Sequence, residues 1–518
     1  MQIDEKIGGV VLLRDRFKRI TYLCTSSLGR ILGIMALLSV LVFCSAAQGV
    51  RAYSTPAGYD EHDYQKLVAF LELPNGAGKN GDKISASYNP EDPTTWAGVA
   101  WNGGAEKRVL MINLTGKGLV GDLDVSGCTA LWDLSCSSNQ LTTLNVSDCT
   151  RLKYLYCVNN QLTALNVSAC TALKTLICSY NQLTALNVSD CTALIFLDCS
   201  YNQVSVLDVR GLAALGLLGC QFNPMTSLDV SDCTTLKYLN CANNQLTTLN
   251  VSGCTALISF DCSYNQVSAL DVRGLAALNF LDCQFNQMTS LDVSDCTTLK
   301  YLNCVNNQLT TLNVSDCTIL NALYCTNNRL TSLDVSSCTA LLDLFCGFND
   351  LIALDVSGCT ALELFYCNDN RLTSLDVSRC TALNYLDCVS NQLTLLNVID
   401  CTLLRTLDCS SNQLTFATLP LLDGIFYYYA PQNEVQVGSE GKVVSGNEID
   451  LSAEAVVNGV DTVFTWYHND GLKIVPTTSV NGIFTFDNGF GGQTIYCQMT
   501  NAAFPELTLE TSRILLAD

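Results

Sequence analysis

Cysteine is the residue in this chain whose abundance and spacing could carry chemistry. The stretch "YLYCVNNQLTALNVSACTALKTLICSYNQ", residues 154–182, places Cys157, Cys170 and Cys178 in an otherwise aliphatic pattern. Of 29 cysteines, 26 fall into two such series, leaving Cys24, Cys44 and Cys497. Thiols so placed could close disulfides, ligate a metal, act as redox groups or fill space. Zinc sites draw on C-x₂-C knuckles and histidine. Here the spacing alternates C-x₇-C and C-x₁₂-C, and His62 and His468 are the only histidines. Two members of the second series are Leu212 and Leu275, and a ligand or disulfide partner could not be exchanged for leucine without loss of its chemistry. Packing is therefore the first reading, disulfides between some rungs the second and metal the third.

Other candidate chemistry is thin. "GAGKNG", Gly76 to Gly81, matches G-x-G-x-x-G, but Pro74 and an expected helix precede it, where a dinucleotide site needs a strand, so it reads as a flexible loop. The two histidines lie far apart in the chain, and no nucleophile and base fall into a recognisable pattern. The chain is expected not to be an enzyme and to need no cofactor or metal.

The elements that hold these residues are repeats. Asparagines at 139, 160, 181, 202, 223, 244, 265, 286, 307, 328, 349, 370, 391 and 412 keep an unbroken 21-residue period. The unit is L-x-x-L-x-C-x-x-N-x-L-T-x-L-[ND]-V-S-x-C-T-x, and Tyr201 to Thr255 nearly duplicates Tyr264 to Thr318. Its first eleven positions resemble the leucine-rich repeat consensus with cysteine at the third leucine. That resemblance implies a solenoid with a parallel β-sheet on the concave face and short extended or 3₁₀ segments on the convex face. Stacked at roughly 4.8 Å per strand, fourteen coils extend over about 65 Å. The asparagine column is expected to satisfy backbone groups in the tight turns, and a second Asn/Asp column, including Asn145, Asn166, Asp208, Asp229 and Asp355, to do similar work. The N-V-S sequons at Asn145, Asn166, Asn187, Asn250 and Asn313 belong to that column.

The flanks differ. Residues 1–52 carry Arg14, Arg16, Lys18, Arg19 and Arg30 before the apolar run Ile31 to Cys44, and read as a signal peptide and N-terminal extension. An uncleaved anchor and acylation of Cys44 are lesser alternatives. Residues 53–108 read as an N-terminal cap: "DEHDYQKLVAFLEL" is an amphipathic helix. "TWAGVAW" followed by Arg108-Val109 resembles the W-x-G-V…R-V cap of plant-type and bacterial leucine-rich repeat proteins, with Trp101 where the plant pattern has cysteine. Residues 109–430 hold the repeats and their end cap. Residues 431–518 read as a β-sandwich in which Trp466 and Tyr496-Cys497 resemble an immunoglobulin-like domain, although "IDLSAEA" lacks its early cysteine.

The net charge of −21 becomes −25 once residues 1–52 are set aside, which disfavours nucleic acid and anionic membrane and favours cations or basic partners. The arrangement as a whole resembles the internalin J type of 21-residue, cysteine-ladder leucine-rich repeat of bacterial surface proteins. That resemblance implies a secreted or cell-surface protein that binds or adheres to a protein or glycan ligand. A structural matrix or biofilm role by self-association is the alternative, and membrane contact is expected only through a signal or anchor segment.

Binding residues are sought on the strands, where the position before each strand cysteine varies from coil to coil. Asp261 and Asp282 fall on adjacent rungs, as do Asp387 and Asp408; such like charges repel and would be relieved by a cation or a partner's Arg or Lys. Aromatics surround the first pair. The candidate concave-face site is therefore Tyr238, Asp261, Tyr264, Phe280, Asp282, Phe285 and Tyr301.

Overall fold

The computed structural model describes residues 53–437 and 447–517, so the export segment lies outside the described residues. The cap helix α1 (Glu61–Leu71) begins where Asp60 accepts a hydrogen bond from the Asp63 amide, and it buries Tyr64, Leu67, Val68, Phe70 and Leu71. Its Asp63, fully buried, receives both Nε and Nη2 of Arg108 at 2.9 Å and the amide of Val109. This ion pair ties the helix to the first strand of the array. Trp96 is buried, and Gly98 at φ +89° is obligatory, since a Cβ there would lie 2.0 Å from the Asn113 carbonyl. The "GAGKNG" stretch is not a loop: Gly78–Lys79 pairs antiparallel with Pro74–Asn75 and runs into the short helix α2 (Asn80–Ile84). Buried Asn80 donates to Phe70 and Val120 carbonyls, so the segment is a structural clip.

The main sheet contains seventeen strands, an antiparallel pair (Val99–Trp101 with Val109–Asn113) followed by parallel neighbours to Phe426–Tyr428. No pairing among the described residues joins its first and last strands, so the sheet is open. Each repeat strand has three residues, and its register advances by 21 per rung, as in Tyr238↔Ser259↔Phe280↔Tyr301. The middle residue and the following cysteine point inward. Leu239, Phe260, Leu281, Cys241, Cys262 and Cys283 are buried, each leucine being worth ~1.5–3 kcal/mol relative to exposure. On the convex side, short extended segments pair in register, for example Thr248–Asn250 with Ser227–Asp229. Successive turns then close on hydrogen bonds from the cysteine amide to the valine carbonyl and from the leucine amide to the cysteine carbonyl, such as Cys149 N to Val146 O at 3.2 Å.

Both asparagine columns serve as expected. Asn265 Nδ2 donates to the carbonyls of Cys241 (3.1 Å) and Cys262 (3.0 Å), while its Oδ1 accepts the Leu246 amide at 2.9 Å. One side chain thus joins its own coil to the coil before it. In the second column, Asn145 Oδ1 accepts the Ser147 amide at 3.1 Å.

At the end of the array Gln432 replaces asparagine. It accepts the Leu414 amide and donates to the Cys409 carbonyl, continuing the column where the 21-residue period has failed. The C-terminal strands then form two sheets, one of Glu448–Asp450, Ile483–Thr485 and Thr478–Val480, the other built on Val460–His468 and Thr494–Asn501. Trp466 lies opposite Cys497 in the second sheet and meets Phe484 and Phe486 edge-on at 5.2 and 5.1 Å. The sandwich seats on the array through Phe504, which packs against Phe416 and Tyr429, and through Glu454, which accepts the Ala417 amide. Among the described residues, no helix is long and apolar enough to cross a membrane.

Candidate functional site

The 27 described cysteines are buried and unpaired, so the disulfide reading is not realised. Side chains one rung apart in a parallel, in-register stack point the same way, which suits the roughly 90° disulfide torsion poorly. Burial pushes the Cys136 and Cys199 thiols up to about 12, and Cys157 and Cys178 well above the ordinary value. The thiolate, which is the nucleophile and the metal ligand, is therefore suppressed. In the convex column the thiol has a further role: Cys149 and Cys254 Sγ each lie 3.1 Å from the carbonyl of a valine in the coil before, Val125 and Val230. Leu212 and Leu275 fill the same slot without that weak bond.

His62, Asp63 and Cys128 converge within 4.8 Å, the spacing of a metal cluster. Asp63, however, is already held by Arg108 and the Val109 amide, and His62 Nε2 lies 2.7 Å from the Ser126 carbonyl. These are the joints of the cap.

The variable surface is the outer face of the strands. There, two columns alternate with the buried leucines and cysteines, one containing Tyr238, Ser259, Phe280 and Tyr301, the other Asn240, Asp261, Asp282 and Asn303. Five of the expected residues, Tyr238, Asp261, Phe280, Asp282 and Tyr301, lie on this concave face. Tyr264 and Phe285 do not. They occupy the turn that follows the strand cysteine, at φ +54° and +52°, and stack on each other at 4.4 Å along one rim. The reason is local: the chain needs a left-handed residue just before each column asparagine to leave the strand. Tyr180, Tyr201 and Phe222 form a like stack in that position, with centroids 4.2 and 4.3 Å apart. Left-handed φ is costly for bulky side chains, and ring stacking offsets part of the cost.

The acidic pairs also behave differently from expectation. Asp282 is served within the chain: Oδ1 accepts the Gln284 amide, and Oδ2 accepts Nε2 of Gln284 and Nδ2 of Asn303. No outside cation is required to satisfy it. Among the described residues, Asp261 is held on one oxygen only, by the amide and hydroxyl of Ser263. In the second pair, desolvation, with Asp408 and Asp369 nearby, raises Asp387 to about 6.

A carboxyl that holds its proton more tightly when folded stabilises the fold below its unfolded pKa of ~3.9 and loses that contribution as pH rises through 6. Asp387→Asn is therefore expected to match the parent at pH 4 and to exceed it by about 1–2 kcal/mol at pH 7.5. Urea unfolding at the two pH values checks this, and an equal effect at both would contradict it.

The face carries more aromatic surface than the expected site. Phe280, Tyr301, Tyr324, Phe345, Tyr366 and Tyr385 form one continuous ladder with centroids 4.3 to 5.4 Å apart. It passes from the first column to the second between Tyr301 and Tyr324, and returns between Tyr366 and Tyr385. No Lys, Arg or His occupies either column over the repeats.

No protein-family model matches the chain, and no curated protein matches it. The parallel sheet, the asparagine column and the paired cysteine columns define a cysteine-ladder leucine-rich repeat protein, and that is the class of this chain. In particular it is similar to the functional domain of InlJ from Listeria monocytogenes, which includes a cysteine ladder. Identity is 29%, the match covers 77% of this chain and 89% of that one, and the TM-score is 0.60. Fainter similarity extends to YopM, a leucine-rich effector protein from Yersinia pestis (23% identity, 62% and 82% covered, TM-score 0.46). It extends also to a leucine-rich repeat protein of Leptospira interrogans (22%, 54% and 90%, TM-score 0.41).

Proposed function

We propose that the chain is a secreted or surface-displayed bacterial binding protein that engages a protein or glycan ligand through the concave sheet of its repeats. The C-terminal sandwich serves as spacer or second contact. The observation that carries this reading is the six-ring ladder from Phe280 to Tyr385, lying on an outer face whose residues vary while the inner columns repeat. Large rigid side chains beside fixed carboxylates and amides are what binding hot spots are made of. The likeness to InlJ supports the reading, since the functional domain of that protein includes a cysteine ladder. Export rests on the pattern of residues 1–52.

The test is a screen of the full chain against arrayed glycans and extracellular proteins, followed by the variant Tyr301→Ser, Tyr324→Ser, Phe345→Ser, Tyr366→Ser. Affinity for the ligand found is expected to fall at least ~100-fold, with the cysteines as well protected as in the parent. Unchanged affinity would place binding elsewhere. A second reading, self-association into a matrix, is favoured by the last strand of the sheet, where Phe426 and Tyr428 are 70% and 54% exposed. Concentration-dependent sedimentation that is lost in Phe426→Ser would support it.

A further inference from the structure

The rim of the concave face carries a break in its stack of rings. Tyr180, Tyr201 and Phe222 are stacked on one side of it, Tyr264 and Phe285 on the other, and Asn243 stands between Phe222 and Tyr264. These three residues occupy consecutive rungs. The Phe222 amide donates to the Ala242 carbonyl at 3.0 Å and the Asn243 amide to the Ser263 carbonyl at 2.9 Å. All three share one left-handed backbone conformation, at φ 56°, 54° and 54°. Equal backbone starts the three side chains in the same direction, but asparagine ends where the rings are only half extended. Above its amide the rung is a slot walled by two ring faces.

The faces point into that slot. Within the stacks the planes diverge by only 10° to 15° and the centroids lie 4.2 to 4.4 Å apart, close to one rung, so the rings face along the column. Phe222 and Tyr264 are each covered on one face and are 42% and 45% exposed. Two rungs at ~4.8 Å set their open faces about 9–10 Å apart. A flat group between two rings needs ~7–8 Å, two carbon contacts of about 3.5–4.0 Å each. The slot exceeds that by the thickness of a puckered, saturated ring.

Its floor is neutral and polar. Between Asn159 and Phe348 the rim column holds no charged residue. Further along it, Asn327 Nδ2 donates to Asn306 Oδ1, whereas the Asn243 side chain has no hydrogen bond among the described residues. Its amide is left with an acceptor and two N–H donors. A pyranose whose hydroxyls are all equatorial matches such a place, with C–H groups above and below the ring and hydroxyls around its edge. An axial hydroxyl would be pressed unpaired against a ring face.

We propose that this slot holds one glucose-configured pyranose of a glycan, sandwiched between Phe222 and Tyr264, with an equatorial hydroxyl bonded to Asn243. The site lies on the rim, outside the concave columns, and does not depend on the aromatic ladder.

The test is saturation-transfer NMR on the full chain with millimolar methyl β-glucopyranoside. Saturated aromatic protons should pass magnetisation equally to the C–H protons of both sugar faces, because a ring covers each. Methyl β-galactopyranoside, which carries one axial hydroxyl, should bind at least about threefold more weakly. Phe222→Ser and Tyr264→Ser each remove a wall and should weaken binding ~3–10-fold. Ser138, Ser390 and Ser411 already stand at this position, so the coil accepts the change. Asn243→Tyr fills the slot with a ring of the kind the column carries at Tyr180 and Tyr201, leaving both walls and every charge in place. It should abolish binding, with the cysteines as well protected as in the parent.

No transfer to the glucoside, transfer to one face only, equal binding of the two glycosides, or binding that survives Asn243→Tyr overturns the proposal. So does a slot that takes acetyl-arginine amide and not the glucoside, which would point to a basic protein partner. If the glucoside is lost in the four-residue ladder variant and kept in Asn243→Tyr, the concave-face reading stands and the rim site falls. Loss in Asn243→Tyr with binding kept in the ladder variant supports the rim site, whatever the ladder binds.

Discussion

Asn265→Ala is expected to destabilise the middle of the array by about 3 kcal/mol or more. Its amide nitrogen donates to the Cys262 and Ser263 carbonyls of its own coil and to the Cys241 carbonyl of the coil before, and its oxygen accepts the Leu246 amide, all in a buried turn. Alanine would leave these backbone groups unserved where water does not reach, and each buried unsatisfied group costs about 1–3 kcal/mol. Because coils contact only their neighbours, the damage should be local before it is global. The chain carries its own reporters: Cys241, Cys262 and Cys283 line the affected rungs and are fully buried. In the variant these three should react with a thiol reagent under native conditions, while Cys367 and Cys388 stay protected. Uniform protection of all five, with an unchanged melt, would show that the asparagine column is dispensable.

Arg108→Ala should be as damaging at the other end. Asp63 is fully buried, and Arg108 holds both of its oxygens. Removing one partner of such a pair strands a charge, a loss of ~3–5 kcal/mol. The double variant Arg108→Ala, Asp63→Asn removes the stranded charge and should recover a good part of that loss. Thermal melts of parent, single and double variants check this. A single variant as stable as the parent would mean that the cap is not held by this pair.

The repeat was legible because its signals are strictly periodic. An asparagine every 21 residues and cysteines at two fixed offsets allow one stacking register, and the Leu212 and Leu275 exceptions by themselves point to packing. Gln432 was not legible: it does the work of asparagine with a longer side chain, off the period. The candidate site was legible column by column and therefore only in part. Tyr264 and Phe285 went astray because which residue leaves the strand is decided by a backbone dihedral, not by residue type. The aromatic ladder was missed because it changes columns at Tyr324 and again at Tyr385, so neither column shows it alone. Asp261 and Asp282 read as an equal pair, yet Gln284 and Asn303 serve both oxygens of Asp282, while Ser263 serves one oxygen of Asp261 among the described residues.

If the cysteine columns serve to build the coil, their thiols are buried, unpaired filler. A thiol count on the full chain without reductant, before and after unfolding in guanidinium, decides this. The 27 described cysteines should be silent in the native protein, and all of them should react on unfolding. A shortfall of thiols after unfolding, made good only by a reducing agent, would mean disulfides and contradict it.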